Sequence, residues 1–276
     1  MVHADDAGMC HSVNLATIEA LQGGLVSSAS IMTPCPWFLE FAAWAGTHPE
    51  MDLGLHLTLN SEWEHYRWGP VAPAERVKGL VDPQGCLWPD VRSAATNAAP
   101  GEVETELRAQ IARARKAGVK FTHLDTHMGA VFARADYFEV YTRLAREAGV
   151  PCMLPRPTAE AAANLKGYGV TAAMLEQKAA EGFVMVDRLA TGVRGRTVEE
   201  RHAAYREFLG KLQPGVTKLI VHLAKDDAEI RGITGAWEQR WADFLFFTGP
   251  EARRLMSEHG IRTVTYRELA TRTEPR

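Results

Sequence analysis

Residues 3–33 read HADDAGMCHSVNLATIEALQGGLVSSASIMT, and the parsing of this stretch decides the fold. A short strand ends in Asp5 and Asp6. SVNLATIEALQGG then reads as a helix: Ser12 can cap it, apolar residues recur at helical spacing, and the glycines at 23 and 24 end it. LVSSASIMT has the composition of a second strand. The two adjacent carboxylates need an explanation of their own, because like charges side by side are unfavourable unless a positive group stands beside them. Asp5 and Asp6 are therefore either a solvated turn or part of a metal site.

Working outward, the same alternation continues. WFLEFAAWAGTHP is a helix closed by Gly46 and Pro49, and MDLGLHLTLN is a buried strand. Residues 61–100 loosen into a stretch rich in Pro, Gly and Trp, which predicts a long functional or lid-like loop. GEVETELRAQIARARKAG is a helix carrying i,i+4 charge pairs such as Glu104 with Arg108. VKFTHLDTH and VPCMLP are strands around the helix YFEVYTRLAREAG. TVEERHAAYREFLGKL is a helix, VTKLIVHLA a strand, EQRWADFLFFTGPEARRLMSEHG one or two helices, and IRTVTY a last strand. Strand and helix alternate roughly seven times with no break that marks a linker. That is the signature of an α/β protein whose parallel sheet is wrapped by helices, closed as a barrel or left open. One domain, 1–276, is expected.

Bulk properties narrow the function. The chain has 276 residues, 46% hydrophobic and 24% charged, and one α/β barrel accounts for that length. A formal net charge of -3 gives no sign of nucleic-acid or anionic-membrane partners. No basic-then-apolar leader pattern and no membrane-spanning apolar run occur, so a cytoplasmic location is expected. Cys10, Cys35, Cys86 and Cys152 are widely spaced and read as buried reduced thiols.

Four expected strands carry charged or metal-binding residues where apolar ones belong. They are Asp5 and Asp6 on the first, His56 in GLHLTLN, His123, Asp125 and His127 in THLDTHMG, and His222 in KLIVHLA. Burying such groups unpaired costs a few kcal/mol, roughly 2–7 on transfer scales. A lone buried histidine is ordinarily a satisfied core residue. The H-x-D-x-H alternation, however, puts three polar groups on one strand face. Catalytic groups of α/β barrels come from the C-terminal ends of several strands. Four polar strand ends together favour a metal site at a barrel mouth.

HADDAG followed by a helix, GLHLTLN, THLDTHMG and the late IVHLA resemble, in the same order, the motifs of the YdjC-like (ChbG/HpnK) carbohydrate deacetylase family. There the first motif usually reads N-A-D-D-F-G, the second G-L-H or G-M-H, the third T-H-L-D-S-H, and the fourth commonly H-P-G. The resemblance spans nearly the whole chain, including FTGPEARRLMSEHGIRTVTYREL. In this sequence His3 replaces the usual Asn, Ala7 the Phe and Thr126 the Ser, Met128-Gly129 follow His127, and HLA replaces HPG at His222.

The resemblance implies a distorted (β/α) TIM-like barrel with mostly parallel strands. It also implies one divalent cation held by Asp6, His56 and His127, with Asp5 as general base and His222 as the acid that protonates a departing amine. The implied reaction removes the N-acetyl group of an N-acetylated sugar or oligosaccharide. Magnesium is the cation by family resemblance; zinc or another transition metal suits two imidazoles and a carboxylate better. Asp125 is expected to orient a histidine ring, and His123 to assist or serve structurally. Trp63 and Trp88, with Tyr66 and Trp68, could stack on sugar rings, and Arg156 could meet a carboxylate or sugar hydroxyl. Substrates would be small molecules or oligosaccharides, with no nucleic acid or membrane, and homodimerisation is left open. Two rival readings are a metal-dependent phosphoesterase on a similar barrel and a non-catalytic sugar-binding homologue. The single compact ligand set argues against the first, and the intact Asp5, Asp6, His56, His127 and His222 argue against the second.

Overall fold

The expected alternation folds, in a computed structural model describing residues 1–23 and 25–272, into six strands that all pair in parallel. Gly24, the second glycine of the expected helix stop, and residues 273–276 of the expected domain lie outside the described residues. The first half contains β1 (Val2–Ala7), α1 (His11–Gly23), β2 (Ser28–Ile31), α2 (Phe38–Thr47) and β3 (Leu53–Leu57). Next come α3 (Val91–Asn97), α4 (Pro100–Lys116), β4 (Leu124–Thr126), α5 (Ala135–Ala148), α6 (Ala159–Asn164) and α7 (Ala172–Ala180). The chain continues through β5 (Arg188–Ala190), α8 (Val198–Gly210), β6 (Thr217–His222), α9 (Ala228–Ile233), α10 (Trp237–Thr248), α11 (Pro250–Glu258) and α12 (Tyr266–Arg272).

The sheet order is β4-β3-β2-β1-β6-β5, and the sheet curls. The expected strand VPCMLP forms no ladder of its own, yet it spans the gap between the sheet's two ends. Met153 N donates to Leu124 O at 2.9 Å on the β4 side, and Val186 N donates to Leu154 O at 2.9 Å on the other. Single parallel bridges at Leu124–Cys152 and Pro155–Val186 thus complete the distorted TIM-like barrel. Every residue of β1, β2, β3 and β4 is buried, because the helices cover one face of the ring while the other fills its interior.

Local chemistry sets several boundaries. Thr197 caps α8 and Glu200 completes a capping box, as its T-x-x-E spelling requires. Gly149, at φ +71°, ends α5 in the left-handed conformation that glycine adopts without strain. Gly249 and Pro250 split the long C-terminal helical stretch into α10 and α11. Ser12 does not cap α1. It is the second residue of that helix, and its hydroxyl donates to Asp227 Oδ1 at 2.6 Å, tying α1 to the start of α9.

Two further segments differ in form from the sequence reading. Residues 61–100 are not one continuous loop: they hold two 3₁₀ turns, a Val81–Leu87 bridge and α3. Buried Glu106 on α4 fastens the segment by accepting from Val71 N at 2.9 Å and Ala72 N at 2.8 Å. Nor is IRTVTY a strand. Asp52 accepts from the backbone of Tyr266 at 2.9 Å and of Arg267 at 3.3 Å, which starts α12 and seats the Tyr266 ring against His123.

Candidate active site

Strand register assembles the cluster. Asp5 is paired with His222 across β1 and β6, and His56 with Asp125 across β3 and β4. Successive residues of a regular strand point to opposite faces, so Asp5 and Asp6 should diverge. They do not, because the β1–β2 register shifts between Ala4 and Ala7 and Asp6 takes φ +69°. A non-glycine residue held there is strained, and such strain concentrates at functional sites.

The carboxylates and imidazoles then interlock. His56 Nδ1 bonds Asp125 Oδ1 at 2.7 Å, leaving Nε2 facing Asp6 Oδ1 at 3.5 Å and Asp5 Oδ2 at 3.8 Å. His127 Nε2 bonds Glu62 Oε2 at 2.9 Å, leaving Nδ1 facing Asp6 Oδ1 at 3.4 Å. Arg240 Nη2 donates to Asp6 Oδ2 at 2.7 Å, and His222 Nε2 lies 4.0 Å from the same oxygen. Beneath them, Asp125 Oδ2 is held by Lys218 Nζ at 2.9 Å and His3 Nε2 at 2.8 Å, and His3 also touches Asp5 Oδ1 at 3.2 Å.

These contacts shift the titrations. Burial raises both carboxyls of the pair, but His56 together with His3 at Asp5, and Arg240 together with His127 and His222 at Asp6, outweigh it, so both lie below the usual range. Burial likewise disfavours the Asp125 anion, and Lys218 with His56 more than offsets this. Burial lowers the His127 ring, yet Glu62 and Asp6 lift it to about 10. His56 is raised because Asp5 and Asp125 overcome its burial. His222 stands in the cavity wall, and removal from bulk water lowers it even though 40% of its side chain stays exposed to the cavity, with Asp6 pulling the other way.

Asp6 Oδ1 is the telling atom. It is buried with no hydrogen-bond partner, and one nitrogen of each of two histidines faces it. An orphaned carboxylate oxygen is costly unless something cationic belongs there. Asp6, His56 and His127 could hold a metal ion, and their other ring nitrogens are already held by carboxylates, as metal-ligating imidazoles require. Two further groups, His3–His123–Asp125 and Asp5–His56–Asp125, have ligand spacing too. Both share Asp125, whose oxygens are taken by Lys218, His3 and His56.

The cluster floors a cavity of about 670 Å³, which Trp63 also lines, 5.8 Å from the Arg240 guanidinium. Three expected site residues lie elsewhere. Trp88 is packed outside the cavity, its indole donating to Gly79 O at 2.7 Å. Arg156, 56% exposed, pairs with Asp187 at 2.6 Å rather than facing the cavity. His123 is buried below the floor, stacked on Tyr266 at 3.9 Å, and burial together with His3 holds it well below its usual pKa. Its ring lies so close to Gly54 that a Cβ there would sit 2.3 Å from Nε2, which explains the glycine of GLH.

Sequence reasoning missed Glu62, Lys218 and Arg240. Lys218 gave a signal, a lysine inside an apolar strand. Arg240, in EQRW, is spelled like any exposed helix residue.

Comparison with known proteins agrees with this architecture. The model of the family described as YdjC-like protein matches residues 1–258. The carbohydrate deacetylase of Thermus thermophilus is 33% identical over 263 residues, covering 94% of this chain and 89% of that protein. The carbohydrate deacetylase of Brevibacillus brevis is 30% identical over 273 residues, covering 98% of each. A crystal structure from Enterococcus faecalis V583, solved as a candidate cellobiose-phosphate cleavage protein, superposes with TM-score 0.79 at 23% identity, covering 98% and 97% of the two chains, and shares the fold. Matched over nearly its whole length, this chain belongs to the YdjC-like family.

Proposed function

We propose that this protein is a divalent-metal-dependent hydrolase that removes the N-acetyl group from an N-acetylated sugar or oligosaccharide. The observation that carries this reading is the unpartnered Asp6 Oδ1 facing His56 Nε2 and His127 Nδ1 on the cavity floor. Two relatives named carbohydrate deacetylases support the substrate class. Asp6, His56 and His127 would hold the cation. When bound, a divalent ion lowers the pKa of a water and offsets negative charge growing on a carbonyl oxygen. Two nitrogens and one oxygen suit zinc or another transition metal better than magnesium.

The protein's own groups do the proton work. Asp5, kept ionised by His56 and His3, takes a proton from the attacking water as general base. The oxygen adds to the acetyl carbon and the C–N bond breaks. His222, the register partner of Asp5, gives its proton to the departing nitrogen, leaving acetate and a free amino sugar. His222 must hold that proton against the loss of solvent that lowers it, and Asp6, 4.0 Å away, favours its charged form. Its side chain is 40% exposed, so the leaving group can reach it. Arg240 keeps Asp6 anionic, and Asp125 and Glu62 hold the two imidazoles in place.

We read the chain as one cytoplasmic catalytic domain. No described helix is long and apolar enough to cross a membrane. The test is acetate release from a panel of N-acetylated mono- and oligosaccharides, with zinc, cobalt, nickel, manganese or magnesium added to metal-stripped protein. Release that depends on added metal is expected. No acetate from any sugar with any metal, or phosphate release from phosphate esters instead, overturns the reading.

A further inference from the structure

The turn after His127 carries more strain than a loop needs. Met128 adopts φ 51°, ψ 20°, and Gly129 follows at φ 69°, ψ 18°. Among the described residues only Asp6 and Met128 are non-glycine residues with positive φ, and both line the same cavity. A residue with a long side chain occupies the left-handed region at a cost of order 1–3 kcal/mol, and it persists where the surroundings hold it. Glycine would relieve that cost, yet this position carries a methionine.

What it does is visible at the cavity mouth. Met128 is 48% exposed, unusual for a large apolar side chain, and it lines the cavity. Buried Asn60 holds its sulfur, with Nδ2 at 3.0 Å from Sδ. Tyr168, also exposed at 39%, lines the same mouth and lies so close that a Cβ on Gly129 would be 3.1 Å from its hydroxyl. Two exposed apolar groups, neighbours across Gly129, thus line the same cavity as Asp5 and Asp6.

We infer that Met128 is a specificity-determining residue. With Tyr168 it forms an apolar clamp that receives the C–H face of the sugar ring next to the one whose acetamide is cleaved. A thioether is polarizable and adapts to an irregular apolar face, and one hydrophobic contact of this kind is worth roughly tenfold in discrimination. This inference rests on the deacetylase reading and deepens it: the clamp selects substrates of at least two rings.

The experiment compares kcat/KM for an N-acetylated monosaccharide and its di- and trisaccharides in wild type, M128G, M128N and M128L, with bound metal measured in each. Glycine and asparagine both tolerate the left-handed conformation, so those variants test the side chain and not the fold. In M128G and M128N the ratio of trisaccharide to monosaccharide kcat/KM should fall roughly tenfold, through KM, while M128L restores it. An unchanged ratio in both variants, or a loss shared equally by all substrates together with lost metal, overturns the clamp. Wild-type protein that releases no acetate from any sugar overturns the deacetylase reading instead.

Discussion

His56 and Asp125 face each other as register partners on β3 and β4, and the imidazole Nδ1–H donates to the carboxylate across 2.7 Å. Asp125 in turn sits on Lys218 and His3, so one buried carboxylate sets both the tautomer and the angle of a ring in the candidate metal site. Replacing Asp125 with Asn keeps the shape and removes the charge. Removing such a supporting partner lowers metal affinity about 10–100-fold, and D125N should do so in a competition titration against a chelator. Unchanged affinity would disconnect Asp125 from the site.

The neighbouring carboxylates should separate cleanly. D6N is expected to strip bound metal, as measured by elemental analysis. D5N should retain it and lose acetate release by roughly 10²–10⁴-fold. Equal metal loss in both variants would contradict the division of labour between them.

For His222, replacement by Ala should slow turnover roughly 10²–10⁴-fold with metal content intact. A normal rate would remove this residue from the proton transfer to the amine.

Lys218 lies fully inside the barrel floor, buried over the Tyr266 ring and bonded to Asp125 at 2.9 Å. K218M leaves Asp125 without its strongest partner. Breaking a buried pair from one side costs about 3–5 kcal/mol, which urea unfolding should register. The double variant K218M/D125N should recover part of that loss, since neither charge is then stranded. A double variant no more stable than K218M would assign the cost to packing.

A surface network sets part of the acid limb. Glu104 on α4 is gripped by Arg143 from α5 and Arg108 from its own helix, and those hydrogen bonds pull its carboxyl from the ordinary 4.5 to about 2. A carboxyl lowered on folding adds stability that is complete above pH 4.5 and disappears as the pH falls toward 2. The difference in urea midpoint between wild type and E104Q should therefore be largest near neutral pH and vanish near pH 2. A constant difference would deny the ionic origin.

Most of the site was legible because its chemistry violates the grammar of buried strands. Histidines and aspartates inside GLHLTLN, THLDTHMG and KLIVHLA have no reason to be there unless they meet. The supporting residues were hidden for equally physical reasons. Arg240 meets its partner Asp6 from 234 residues away in the chain, and Glu62 lies in a stretch whose short 3₁₀ turns carry no periodicity. β5 is three residues long, below the length at which alternation can be seen. IRTVTY has a strand's composition, but Asp52 claims the amides at its end.

The barrel is a hoop riveted on one side and merely latched on the other. Asp5, Asp6, His56 and His222 stand on or beside well-stitched ladders, whereas Cys152–Pro155 joins β4 to β5 through isolated bridges. The latch lies on the side that carries Tyr168, α6 and α7. The seam with the fewest backbone bonds therefore borders β4, the strand that carries Asp125 and leads straight into His127.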